Sequence, residues 1–468
     1  MLVSDLYILT IVFFLAVWGQ AWRKFRDPFH PLIFLMPQFA FLYGFMPYSL
    51  YREDPQRFLL WVGGDDVYRY QSISIGLVLC LVAGVSYGSR RLTRSKVRWQ
   101  TVQLHGEKAI RLVGLALGLV GWVAWLYIVR ASGGFEGAYG SAYGGGWVPN
   151  GYIREMRFVG LGGALLIFLP RVGRGMRLLD WLMVAMCVAP TLSHAILGAR
   201  RGPALLSLVV LVGGYIYFMR KRVSVILVAG GGMLAGSLML FLVANRNSLY
   251  LGSKAVNFSS PLEHMNRWVS NEYLIGGAAV RYADQYGAFY GARELIWLIG
   301  RFLPRSVWPD VYVQLPQLLG VEVDLRKNGG VSREGIASVA NFEPSVGAAE
   351  AFTGSLWMEF GAASFIVAFL IGLFYVRVWK AARSSISARL IYLFMVALSV
   401  YLVMQSIDPW LYRLILFGLP VVLVARILDR RGGRLSRTAV VGRSRESQVY
   451  TSPLKPDFRF TYERIEDE

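Results

Sequence analysis

The sequence predicts an all-α integral membrane protein that crosses the bilayer about eleven times and carries one large extracytoplasmic loop over residues 244–350. Three observations predict this. Of the 468 residues, 55% are hydrophobic and 17% charged, and the mean hydropathy is positive. The apolar residues fall into separate blocks, mostly of about 17 to 22, the length that crosses a hydrocarbon core of about 30 Å at about 1.5 Å per residue. Basic clusters occupy the short connections between blocks, which is the signal of the positive-inside rule.

The predicted spans cover residues 6–22, 31–50, 71–89, 109–130, 156–170, 178–197, 203–219, 223–243, 352–378, 388–406 and 410–427. The first is preceded by Asp5 and followed by Arg23, Lys24 and Arg26. A cleavable signal peptide has the opposite polarity of charge, so this block reads as a spanning helix with its N-terminus outside. Alternation from that start puts Arg23/Lys24/Arg26, Arg90/Arg91/Arg94/Lys96/Arg98, Arg171/Arg174/Arg177, Arg220/Lys221/Arg222, Lys380/Arg383/Arg389 and Arg426/Arg430/Arg431/Arg434 in the cytoplasm. The chain therefore divides into spans one to eight (1–243), the large loop (244–350), spans nine to eleven (351–428) and a polar cytoplasmic tail (429–468) of disordered composition. The formal charge of +20 belongs to this topology and excludes the nucleic-acid reading it would carry in a soluble chain. Cys80 and Cys187 lie inside apolar blocks, where a free thiol behaves as a small hydrophobe.

The outer connections differ in character. Residues 131–155 are rich in Gly and Tyr, and 244–350 holds ten acidic and ten basic residues. Mixed charge with many aromatic rings suits a polar, ring-shaped ligand better than a simple connector. Within the large loop, 262–283 and 293–303 have mixed apolar and polar faces and predict short helices on or beside the bundle. Pro304, Pro309 and Pro316 break regular structure, and 322–344, with Gly329, Gly330 and Gly335, reads as a mobile loop.

One outer connection runs against the charge rule: Gly198-Ala199-Arg200-Arg201-Gly202-Pro203. An arginine costs about 2.5 to 3.5 kcal/mol at the membrane centre and less near the surface, so a compensating partner is expected. That partner is either an anionic ligand, whose phosphate oxygens a guanidinium fork matches bidentately, or lipid headgroups and loop carboxylates. Two adjacent arginines point in different directions, which favours the ligand. Arg246, immediately beyond 223–243, is the best placed of the remaining outer arginines for a lipid-linked phosphate. For Arg267, Arg281, Arg293, Arg301, Arg305, Arg326 or Arg333 taken singly, a surface ion pair is the commoner explanation. A transferase also needs a base within reach of an acceptor hydroxyl. Among Glu263, His264, Glu272, Asp284, Glu294, Glu343 and Glu350, the polar and aromatic stretch 263–273 points to His264 and Glu272. With no Asp-x-Asp, no His-x-x-x-His and no phosphate-cradling glycine loop, neither a metal nor a nucleotide cofactor is predicted.

Gly-Ala-Arg-Arg-Gly at 198–202, Ala-Asn-Arg-Asn-Ser at 244–248, Phe-Leu-Pro-Arg-Ser-Val-Trp-Pro at 302–309 and Trp-Met-Glu-Phe-Gly at 357–361 together resemble bacterial oligosaccharide repeat-unit polymerases, the Wzy-type O-antigen and exopolysaccharide polymerases related to O-antigen ligases. The resemblance implies a GT-C-like membrane fold in the bacterial inner membrane. It implies transfer of a glycan from an undecaprenyl diphosphate carrier to the end of another lipid-linked repeat unit, without metal, and a chain-length regulator protein as partner. It makes Arg200, Arg201, Arg246 and Arg305 diphosphate or substrate contacts, with Arg281 and Arg301 as further candidates. The family's acidic residue about six positions before the glycine at 361 is Ser355 here, leaving Glu350 or Glu359 as stand-ins. A ligase with the same donor, and a transporter of lipid-linked sugars, are the alternatives; a transporter would show intramembrane charges and internal repeats.

Overall fold

The structure, a computed structural model, describes residues 3–64, 66–90, 106–140, 151–172, 175–198, 200–219, 271–303, 307–320, 333–344 and 349–427, with isolated positions between 224 and 268. Among the described residues every regular element is helical. Among the described residues, nine helices are long and apolar enough to cross a membrane. In chain order these are α1 (Val3–Phe25), α2 (Pro31–Glu53), α4 (Asp66–Ser89), α5 (Glu107–Ala131), α9 (Leu178–Leu197), α10 (Gly202–Met219), α15 (Ala351–Ala381), α16 (Ile386–Met404) and α17 (Ile407–Ile427). Shorter helices fill the connections: α3 (Pro55–Val62), α6 (Gly134–Tyr139), α7 (Gly151–Met156), α8 (Val159–Phe168), α11 (Glu272–Tyr286), α12 (Ala292–Phe302), α13 (Val311–Leu318) and α14 (Arg333–Val339). The chain is an α-helical membrane protein by this architecture.

Nine of the predicted spans coincide with these long helices. Residues 156–170 are not one long helix: α7 ends at Met156 and α8 has ten residues, or about 15 Å, although the segment runs from Glu155 beside Arg413 to Arg171 beside Asp180 and Arg111. Every residue of α8 from Gly160 to Phe168 is buried, so it packs inside the bundle rather than facing lipid. Span 223–243 falls largely outside the described residues. In the large loop, α11 starts later than predicted because the Asn271 side chain caps it, accepting from the amides of Tyr273 and Leu274 at 3.0 and 3.3 Å. Helix α12 matches 293–303 closely. Part of the segment read as a mobile loop, 333–339, is helical.

Small residues let the spans approach closely. A Cβ at Gly84 on α4 would run into the carbonyl oxygen of Phe369 on α15, and one at Gly372 into that of Leu81, so backbones meet at this crossing. Gly114 and Gly118 on α5 meet Gly163 and Cys187 in the same way. Gly372→Val is expected to cost about 3 kcal/mol or more, since overpacking at a backbone contact has no side chain to displace. The check is the melting temperature of the detergent-purified protein.

The two ends of the bundle carry different chemistry. At one end, Asp27 accepts from the Trp379 indole at 2.9 Å and lies 3.9 Å from Arg383, while Asp180 pairs with Arg171 at 2.7 Å and Arg111 at 3.4 Å. Arg389 donates to the carbonyls of Ala382 and Arg383 where α15 ends. The opposite end gathers α3, α6, α7, α11, α12 and the start of α17.

Candidate functional site

A cationic cluster forms where α7, α9, α10, α12, α16 and α17 converge. At its centre Glu155, buried at the end of α7, lies 3.6 Å from the Nε of Arg413 on α17. Arg154, Arg157 and Arg301 act on the same carboxylate, and Arg154 and Arg200 act on each other. Four guanidiniums thus act on one carboxylate among the described residues, and Arg200 joins them through Arg154 and Arg157. Aromatic rings support the cations: Arg413 sits over Tyr401 at 4.2 Å, and Arg301 over Trp297 at 3.9 Å and Tyr412 at 5.3 Å. Burial alone would push the Glu155 carboxyl up, yet Arg413, Arg157, Arg301 and Arg154 hold it below the ordinary range. Burial and the neighbouring Arg154 depress the Arg200 guanidinium. Burial does the same to Arg301, with Arg413 adding to it and Glu155 opposing it. Arg157 Nε and Arg413 Nη1 are buried and hydrogen-bonded to none of the described residues. Desolvated, like-charged donors without acceptors among the described residues make this a site short of negative charge.

A second cluster stands at the other end of α12. Helix α15 is broken at Gly361, whose φ of +52° a glycine adopts readily. The break frees the carbonyls of Met358 and Glu359, which accept from the amides of Phe289 and Gly291 at 3.0 and 3.2 Å. These bonds dock the first turn of α12 on α15 and drive Arg293 into the interior. There its guanidinium ion-pairs with Glu359, with Glu350 at 3.1 Å, and with Glu294 at 4.0 Å. Glu359 also accepts from the Glu294 amide, closing the N-terminus of α12. Glu294 hydrogen-bonds Asp408, at the start of α17, and Ser355 Oγ donates to Glu294 Oε1 at 3.5 Å. Ala351, directly after Glu350, has φ +57°, a strained conformation for a residue with a Cβ.

Four carboxyls face one arginine here, so full ionisation would leave three uncompensated buried charges, and protons must be retained. Burial, then Asp408, raise the Glu294 carboxyl well above the ordinary range. Burial raises Glu350 against the pull of Arg293. Arg293 itself is held charged: burial would lower it, but Glu350, Glu359, Asp408 and Glu294 outweigh that. A carboxyl whose folded-state value is raised binds its proton more tightly folded than unfolded. Its contribution to stability is complete below the ordinary carboxyl range and is lost as pH rises through the raised value. The melting temperature is therefore expected to fall with rising pH, and Glu294→Gln to flatten that slope.

The structure places Arg200 and Arg301 in the cationic cluster. Arg281 lies elsewhere, in a cleft lined by Val62, Asp66, Arg69, Tyr70 and Asp284, donating to the Trp61 carbonyl at 2.8 Å. Glu272 is buried in the first turn of α11, a different helix from those of either cluster. Arg201 opens α10, with its side chain outside the described residues, as are Arg246, His264 and Arg305 altogether. Sequence reasoning missed Arg154, Glu155, Arg157, Arg413 and Asp408, and passed over Arg293 as a surface pair. Arg157, Arg413 and Asp408 carried a readable signal, being charges within or at the edge of apolar blocks. No protein-family model, no curated protein and no solved structure matches the chain.

Proposed function

We propose that the chain is a membrane glycosyltransferase that polymerises lipid-linked oligosaccharides, moving a glycan from a polyprenyl diphosphate carrier, undecaprenyl diphosphate in bacteria, to the end of another lipid-linked repeat unit. The observation that carries this reading is the cluster of five arginines, four of them acting on Glu155, at one mouth of an α-helical membrane bundle. Breaking a sugar–diphosphate bond develops negative charge on the leaving group, and preorganised guanidiniums stabilise it with no metal. Arg200 and Arg301, with Arg154, Arg157 and Arg413, hold the diphosphate in this reading, and Arg201, Arg246 and Arg305 remain candidates to extend the same surface. The charge pattern of the connections supports an extracytoplasmic position for this mouth, with the N-terminus outside and the tail inside, and the reading sets the bundle in the inner membrane.

The test uses purified protein in proteoliposomes supplied with lipid-linked repeat units. A ladder of products supports the polymerase. A single addition to a different acceptor identifies a ligase, and movement of intact lipid-linked units across the bilayer without new glycosidic bonds identifies a transporter. Arg200→Ala is expected to abolish the ladder while protein level and delivery of repeat units stay unchanged. A single displacement inverts the anomeric centre, so retained anomeric configuration in the product would contradict the mechanism.

A further inference from the structure

We infer that Glu294 is the general base for the transfer, with Asp408 as the positioning residue that sets its basicity. This rests on the glycosyl-transfer reading above and assigns within it a group that the sequence pattern had placed on Glu272 and His264.

Geometry separates Glu294 from its neighbours. Glu359 is enclosed, its side chain 1% exposed, and is tied to both Arg293 and the Glu294 amide. Glu350 is bonded to the same guanidinium at 3.1 Å. A carboxylate held by an arginine is a poor proton acceptor. Glu294 stands farthest from Arg293, at 4.0 Å, and its side chain, at 15% exposed, is the most open of the three carboxyls paired with that arginine. It faces Asp408 across the α12–α17 contact, and like charge there makes its ionised form a stronger base.

Placement relative to the arginines fits the reaction. Helix α12 and the start of α17 form one seam: Arg293, Glu294 and Asp408 lie at one end, and Arg301 and Arg413 at the other. Ile296, Trp297, Val311 and Tyr412 fill the apolar stretch between. Eight residues separate Arg293 from Arg301, about 12 Å along the helix. One sugar ring and a diphosphate together fill such a length. In the step, the acceptor hydroxyl oxygen bonds to the anomeric carbon of the donor sugar. The bond from that carbon to the diphosphate oxygen breaks, and its electron pair leaves with the diphosphate into the arginine cluster. The hydroxyl proton passes to Glu294 and then to water at its exposed edge.

The groups that face Glu294 are Arg293 on its own helix, Glu350, Ser355 and Glu359 from α15 and its start, and Asp408 from α17. On α13, Tyr312 lies against Gly300, two turns along. Activity should rise with pH as Glu294 loses its proton. Glu294→Gln is expected to lower kcat by about 10²- to 10⁴-fold while lipid diphosphate still binds, since the arginines of the cationic cluster are untouched. Asp408→Asn should move the rising limb of the kcat–pH profile to lower pH and lower its plateau in part, because removing the like charge leaves Glu294 a weaker base. A purely structural role for Asp408 would leave that profile in place. Melting temperatures of both variants confirm that they fold. Near wild-type turnover in Glu294→Gln, or abolition by Asp408→Asn alone, overturns the assignment while leaving glycosyl transfer standing. Absence of any product from wild type across the pH range sinks the glycosyl-transfer reading itself, and the base with it.

Discussion

Arg293→Ala is expected to destabilise the protein by about 3–5 kcal/mol, because it leaves Glu350 and Glu359 buried without their shared counter-charge. The expected result is early melting or aggregation in detergent, seen by thermal unfolding and size-exclusion chromatography. The argument has an internal control. If the cost is that of uncompensated carboxylates, removing one of them should return part of it, so Arg293→Ala combined with Glu359→Gln should melt later than Arg293→Ala alone. Arg293→Lys should fall between, since an ammonium keeps the charge but not the fork that reaches both carboxylates. A single alanine variant that melts with wild type would show that the docking bonds at Met358 and Glu359 hold α12 unaided.

Arg413→Ala is expected to lower turnover by about 10²- to 10³-fold, the effect of removing one preorganised donor from a developing oxyanion. Arg413 also pairs with Glu155, so the single variant confounds binding with structure. Arg413→Ala combined with Glu155→Gln separates the two. If Arg413 only neutralises Glu155, the double variant regains activity. If it contacts the diphosphate, the double variant folds as wild type and remains slow, and inorganic diphosphate competes more weakly with the donor than it does in wild type.

The helices were legible in the sequence because hydrocarbon thickness fixes their length, and that constraint acts locally along the chain. Where the segment departs from one long helix, at 156–170, the reason is tertiary: Gly160, Gly162 and Gly163 let α8 nest among α5, α9 and α17, so an apolar run need not face lipid. Arg200 drew attention because it broke the charge rule, and it lies in the cationic cluster. Arg157 and Arg413 escaped notice because they sat inside blocks whose average hydropathy hid them. The carboxyl cluster joins positions 293, 294, 350, 359 and 408, and no pattern in one sequence shows that these meet. Polar density favoured the stretch 263–273, yet density reflects composition, whereas a base is made by enclosure and a like-charged neighbour. Ser355 is instructive. The side chain there is short, and the carboxyl it hydrogen-bonds comes from α12, so an acid is supplied to that place through space.

The apolar partition between the two ends of the α12–α17 seam also makes them thermodynamically linked. Charges about 12 Å apart in a medium of effective dielectric about 20 interact by about 1.4 kcal/mol per charge pair, or about one pKa unit. A dianion arriving at the arginines therefore tightens the hold of Glu294 on its proton. By reciprocity, loss of that proton weakens retention of the dianion by the same factor. Donor affinity should thus drift downward with alkalinity even though no arginine titrates, and the release of spent carrier is favoured whenever Glu294 stands without its proton.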